Sequence, residues 1–117
     1  MVDSGIATSE LEGLARNVLK DALRVRSGES VLIEAWTESL GYAEAFQLEA
    51  RRLGARPLIL YESDSAYWKS LEAVGARPLG APGRAEWAAL NAANAYVFFW
   101  GPADRARFRS LPPGVQD

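Results

Sequence analysis

The sequence predicts an α/β domain, a three-layer, Rossmann-like arrangement around a mostly parallel sheet of three strong strands. Three short apolar runs, at residues 31–36, 57–61 and 95–100, are separated by stretches with helical spacing. The runs are near-continuous rather than alternating, as expected of strands buried on both faces. Glycines or prolines punctuate the boundaries between the two kinds of segment, at βαβ spacing.

The elements follow in order. Ser9-Glu10-Leu11-Glu12 has the form of a capping box, with Ser9 as N-cap. Leu11, Leu14, Ala15, Val18, Leu19, Ala22 and Leu23 then form one helical stripe, and Ser27-Gly28 stops it. The first strand follows, interrupted by Glu34. Thr37 or Ser39 is placed to cap a second helix whose apolar face is Leu40, Ala43, Phe46, Ala50 and Leu53, ended by Gly54. Pro57 opens the second strand, where a missing N–H is tolerated. Ser63 and Asp64 are N-cap candidates for a helix through Tyr67, Trp68, Leu71 and Val74, closed by Gly75. Residues 77–79 are a candidate short edge strand, residues 80–83 a loop, and residues 85–94 an Ala-rich helix able to approach the sheet closely. After the third strand, Gly101-Pro102 turns the chain into a last short helix before Pro112-Pro113. Right-handed crossovers and the initial helix together point to a central first strand flanked by the other two. Residues 1–110 read as one domain and residues 111–117 as a linker-like tail.

Composition narrows the chemistry. The chain has 117 residues, no cysteine, no histidine and a formal net charge of −2. Thiol nucleophiles, zinc ribbons and iron–sulfur clusters are thereby excluded, and so are the commonest general base and metal ligand. Near-neutral charge gives no electrostatic footprint for nucleic acid. Nothing approaches the roughly 18 apolar residues of a membrane span, and residues 1–13 show no secretory pattern, so the expected location is cytoplasmic. Of 13 basic residues, only Lys20 and Lys69 are lysines; such arginine richness fits a heat-adapted or GC-rich source. Arg105, Arg107 and Arg109 form a basic group better read as a solvated face or interdomain ion pair than as a nucleic-acid patch.

In a parallel sheet, ligands bind outside the carboxyl ends of the strands. The residues expected there form a candidate crevice or interdomain contact: Glu34, Trp36 and Glu38 from the first strand and its exit, Glu62 from the second, Trp100 from the third. A dinucleotide site is disfavoured, because Thr37-Glu38-Ser39-Leu40-Gly41 lacks the glycines that let backbone approach a pyrophosphate. A phosphoacceptor receiver is disfavoured too, since no strand end carries an aspartate pair. Glu34, Glu38, Glu62, Asp64 and Asp104 are oxygen donors of the type a hard cation takes, but no motif fixes their spacing. Trp36 and Trp100 end neighbouring strands, where they would either close the core or anchor an interface.

Several segments resemble the start of thermophilic metalloaminopeptidases of the aminopeptidase T/aminopeptidase S type. They are Arg24-Val25-Arg26-Ser27-Gly28-Glu29-Ser30-Val31-Leu32-Ile33, then Thr37-Glu38-Ser39-Leu40, then Glu49-Ala50-Arg51-Arg52-Leu53-Gly54-Ala55-Arg56-Pro57, and Ala95-Tyr96-Val97-Phe98-Phe99-Trp100-Gly101-Pro102. Gly41 departs from the pattern, standing where a proline often opens the second helix. The resemblance implies a non-catalytic N-terminal domain, inactive by itself, that packs over a metal-binding catalytic domain in cis or in trans and shapes access to it. It implies zinc or cobalt only in that other domain, with no cofactor held by this chain. No catalytic or metal-ligating residue carries over, because the matching segments form the fold. Homo-oligomer formation stays open, and neither nucleic acid nor membrane is an expected partner. The alternative is a free-standing small-ligand or protein-binding module that uses the crevice.

Overall fold

The computed structural model describes residues 8–104. Its three strands are β1 (Ser30–Trp36), β2 (Arg56–Glu62) and β3 (Ala95–Phe98). All pairs are parallel and the order is β2-β1-β3, so the first strand is central as predicted. The pairing sets Ile33 beside Ile59 and Val97 on one face, and Glu34 beside Leu60 and Phe98 on the other.

The first face carries the main core. Val31, Ile33 and Ala35 of β1 meet helix α1 (Thr8–Asn17) through Ala15, and helix α2 (Leu40–Arg52) through Ala43, Phe46 and Ala50. Leu19, just past α1, is fully buried in the same cluster. Small residues at Ala15, Ala43 and Ala50 let the helices lie close to the sheet, and Phe46 fills the remaining volume.

The opposite face receives α3 (Asp64–Val74), the single turn α4 (Ala76–Leu79) and α5 (Arg84–Ala92). This layer is thinner. Trp68 and Leu71 bury into a small separate cluster with Tyr67 and Ala76, while no residue of α5 is buried. The Ala-rich composition of α5 permits contact with β1 but supplies little apolar area to cover it.

The structure corrects several local expectations. Residues 77–79 are not an edge strand but part of α4, whose turn is closed by the Gly80 N–H donating to the Ala76 carbonyl at 3.1 Å. Pro78 sits in that first turn, where its missing N–H costs nothing. Ser9 does not cap α1, since Thr8 is already helical. Nor does the helical stripe run regularly to Leu23. Residues Val18–Ala22 widen into a π-helical stretch, with the Leu23 N–H donating to the Val18 carbonyl at 2.9 Å. Arg24, at φ 53°, then reverses the chain ahead of Ser27-Gly28. Ser39, one of the two expected caps, stands at the N-cap position of α2, but its side chain makes no cap bond; with Thr37 it forms a 3₁₀ turn, and its hydroxyl accepts the Trp36 N–H at 2.8 Å. Ser63 does cap α3, accepting the Ala66 N–H at 3.0 Å, and Gly75 closes it at φ 80°. The third strand stops at Phe98. The expected last helix, the Arg105/Arg107/Arg109 group and the tail lie outside the described residues.

Two polar devices had no sequence forecast. Asn94 is not helical; its side chain accepts the Ser30 N–H and its N–H donates to the Ser30 carbonyl, both at 2.8 Å. This pair of bonds fixes the register of β3 on β1 one residue before the ladder begins. Glu49 of α2 is wholly buried, and its carboxylate accepts from Arg16 Nε at 3.0 Å and from an Arg52 terminal nitrogen at 2.6 Å. Arg52 reaches Glu12 as well, at 3.3 Å, so the network ties α1 to α2. A carboxylate removed from water depends on such partners. Replacing Arg16 and Arg52 together by Met should therefore lower stability by about 3 kcal/mol, measured by urea denaturation. Adding Glu49→Leu to that double variant should restore much of the loss.

Candidate functional site

With strand order β2-β1-β3, the place where open α/β sheets hold ligands is the gap between β1 and β3 at their carboxyl ends. In this protein that gap is closed. Trp36 at the end of β1 lies so tightly over Gly101 that a Cβ there would overlap the indole. Tyr67 of α3 meets the same indole edge-on at 5.2 Å between ring centres. Side-chain-to-backbone hydrogen bonds tie the three strand exits together. The Thr37 hydroxyl accepts the Asp64 N–H at 2.8 Å, and Asp64 Oδ2 accepts the Ala103 N–H at 3.1 Å. Asp64, an N-cap candidate from its sequence position, thus acts as a strut across the carboxyl end instead.

The open space lies on the sheet face below this plug. A cleft of about 570 Å³ runs between the second face of the sheet and the helices α4 and α5. Its apolar floor is Leu58 and Leu60 of β2, with Leu79 of α4 and Ala85 and Ala89 of α5 opposite. Three carboxylates line it: Glu34 from the central strand, Glu62 from the end of β2 and Glu86 from α5. Trp36 and Tyr67 supply aromatic walls, while Tyr61, paired with Ala35, turns its ring to the other face. The volume falls in the range of small-molecule pockets, about 300–1,000 Å³.

Of the five crevice candidates, Glu34, Trp36 and Glu62 therefore converge on one cleft. Parity explains this: they sit at alternate residues on β1 and at the matching register on β2, all on the second face. Glu38 lies in the exposed 3₁₀ turn after β1, outside the cleft lining. Trp100 is beyond the end of β3, 73% exposed, and likewise does not line it. Sequence reasoning missed Glu86 and Tyr67 as members, because it sought the site only among residues leaving the carboxyl ends of the strands. Among the described residues, no three acidic groups converge closely enough to hold a metal ion.

Electrostatics follow the acids. Partial burial raises the Tyr96 hydroxyl to about 12, helped by a hydrogen bond to Glu34 and by the charges of Glu34 and Glu86. Tyr67 is raised as well, first by burial and then by Glu62. In both, burial is the larger cause and the neighbouring carboxylates add to it.

A second feature adjoins the cleft along β3. Tyr96, Phe98 and Trp100 lie two residues apart on the same side of the chain. Tyr96 stacks on Phe98 at 5.6 Å, and Phe98 meets Trp100 edge-on at 5.6 Å. The ladder is solvent-exposed, Phe98 by half, and Leu58 on the far strand of the same face is 53% exposed.

In comparisons with known proteins, no family model matches this chain, and no curated protein matches it significantly.

The plug makes glycine obligatory at position 101. Gly101→Ala should cost about 1–3 kcal/mol, read as a lower urea midpoint, while Gly83→Ala, with open space around its Cβ, should leave the midpoint nearly unchanged. The tyrosines predict a pH dependence. Below pH 10 both phenols keep their protons whether the chain is folded or not. As pH rises from about 10 towards 12, unfolded tyrosines lose protons that folded Tyr96 retains, so stability falls. Tyr96→Phe should make that alkaline loss shallower in denaturation curves, leaving the part due to Tyr67.

Proposed function

We propose that this chain is a non-catalytic docking domain, the N-terminal domain or a truncated relative of a metal-dependent, leucyl-type aminopeptidase. Its role is to pack over a metal-binding catalytic domain, supplied in cis or in trans, and to shape access to it. The observation that supports this reading is the half-covered sheet. Parallel sheets are normally buried on both faces, yet here the second face leaves Leu58 and the Tyr96–Phe98–Trp100 ladder in solvent. Contiguous exposed aromatics of this kind mark surfaces that another protein covers. The segmental resemblance to metalloaminopeptidases supplies the nature of the partner, and zinc or cobalt would then sit in the partner's residues.

The cleft favours a second reading, a free-standing module that binds a small ligand or a protein segment. Where the catalytic domain is supplied in cis, the two readings differ in the coding frame beyond Asp117: a His-, Glu- and Asp-rich segment is expected under the first and not under the second.

By itself the chain should not release the chromophore from a leucyl chromogenic substrate, with or without added Co²⁺ or Zn²⁺. Robust metal-dependent turnover would overturn the docking role. Made as separate chains, this domain and the metal-binding catalytic domain should form a complex, and Phe98→Asp should weaken it at least about tenfold while leaving the circular dichroism spectrum unchanged.

A further inference from the structure

The cleft between the second sheet face and the α4–α5 helices has a composition that the docking role does not use. Among the described residues its lining carries three carboxylates and no basic side chain, although the chain as a whole has nearly as many basic as acidic residues. Glu34, Glu62 and Glu86 arrive from three different elements, so their meeting reflects the fold rather than a local run of acid. Such a field repels anionic ligands such as nucleotides and phosphosugars. It equally penalises a neutral ligand that strips water from the carboxylates without replacing it.

A metal ion does not answer this field, because the acids are too dispersed to converge on one centre among the described residues. A larger, diffuse cation does. Trp36 and Tyr67 line the same cavity, and aromatic rings attract ammonium and guanidinium groups through their negative faces. The floor of Leu58 and Leu60, facing Leu79, Ala85 and Ala89, gives an apolar tail a place to lie. Carboxylates spread along the cleft, an aromatic wall and an aliphatic floor specify an amphipathic cation. The volume of about 570 Å³ holds a ligand of the size of an aryl-alkyl amine or a short peptide's first residues.

We infer that this cleft binds an organic cation, an ammonium or guanidinium group carried on an apolar body. The assignment gives the ligand-binding reading its ligand class and rests on that reading, while leaving the docking face along β3 free. Glu62 and Glu86 supply charge from exposed positions, Glu34 sets the field at the centre of the sheet face, and Trp36 forms the wall nearest the carboxyl-end plug.

The test is an NMR titration of the whole chain with phenethylamine, phenethyl alcohol and hydrocinnamate, three probes of similar size that differ in charge. Saturable binding of the amine is expected, with the Trp36 indole N–H among the shifted signals. The alcohol should bind about tenfold more weakly or worse, the carboxylate should not bind, and added salt should weaken only the amine. Glu62→Gln and Glu86→Gln, both at exposed positions where folding tolerates the change, should together weaken amine binding about tenfold. Equal affinity for the amine and the alcohol, or amine binding indifferent to both substitutions, would overturn the cation assignment while sparing a ligand-binding role. Failure of all three probes to saturate would remove both.

Discussion

Everything in this protein hangs on the central strand. β1 is flanked on both sides, and its alternation sends Val31, Ile33 and Ala35 into the main core and Leu32, Glu34 and Trp36 to the opposite face. A slip of one residue in its register would exchange these sets, burying a glutamate under α2 and exposing an isoleucine. The molecule guards against this at both ends of β1. Asn94 grips Ser30 at the amino end, and at the carboxyl end the indole of Trp36 is trapped between Gly101 and Tyr67. Position on this one strand therefore decides both the packing of the domain and the membership of its cleft.

The two faces of the sheet are unequal because the crossovers differ. The β1-to-β2 connection uses a 13-residue helix with a full apolar stripe, and α1 adds a second helix beside it. The β2-to-β3 connection must pass over β1 to reach the other side, and it does so with three shorter helices broken at Gly75 and Gly80. Their apolar residues pack partly on one another, as Trp68 and Leu71 do, instead of on the strands. The cleft and the exposed aromatic ladder are two results of that incomplete cover. The usual crevice at the strand ends is meanwhile filled from within, which moves the available binding space from the edge of the sheet to its face.

Much of this architecture was legible from local pattern. The three apolar runs identify the strands, and right-handed crossovers taken with the initial helix point to β1 in the centre. Glu34, Trp36 and Glu62 were recognisable as neighbours because all three fall at the carboxyl ends of adjacent parallel strands. What stayed hidden depends on contacts distant in sequence. Glu49 sits among apolar positions of α2, and only the approach of α1, 33 residues earlier, reveals Arg16 as its partner. Asn94 has the composition of a helix end, yet its side chain is claimed by Ser30, 64 residues away. Residues 77–79 have no helical stripe because α4 is one turn long, too short for periodicity to register. Glu86 gained its place in the cleft only from the path that α5 takes across the sheet.

The four tryptophans sample four environments. Trp68 is buried in the small cluster, Trp36 is half-buried in the carboxyl-end plug, and Trp87 and Trp100 stand in solvent on α5 and beyond β3. The indole is the strongest native fluorophore among the side chains, so its emission is a map of these places. A small dissolved quencher will reach Trp87 and Trp100 long before Trp68. Covering the ladder will shield one fluorophore, filling the cleft will perturb another, and unfolding will equalise all four. The chain thus carries its own optical reporters, already distributed over its core, its plug and its open face.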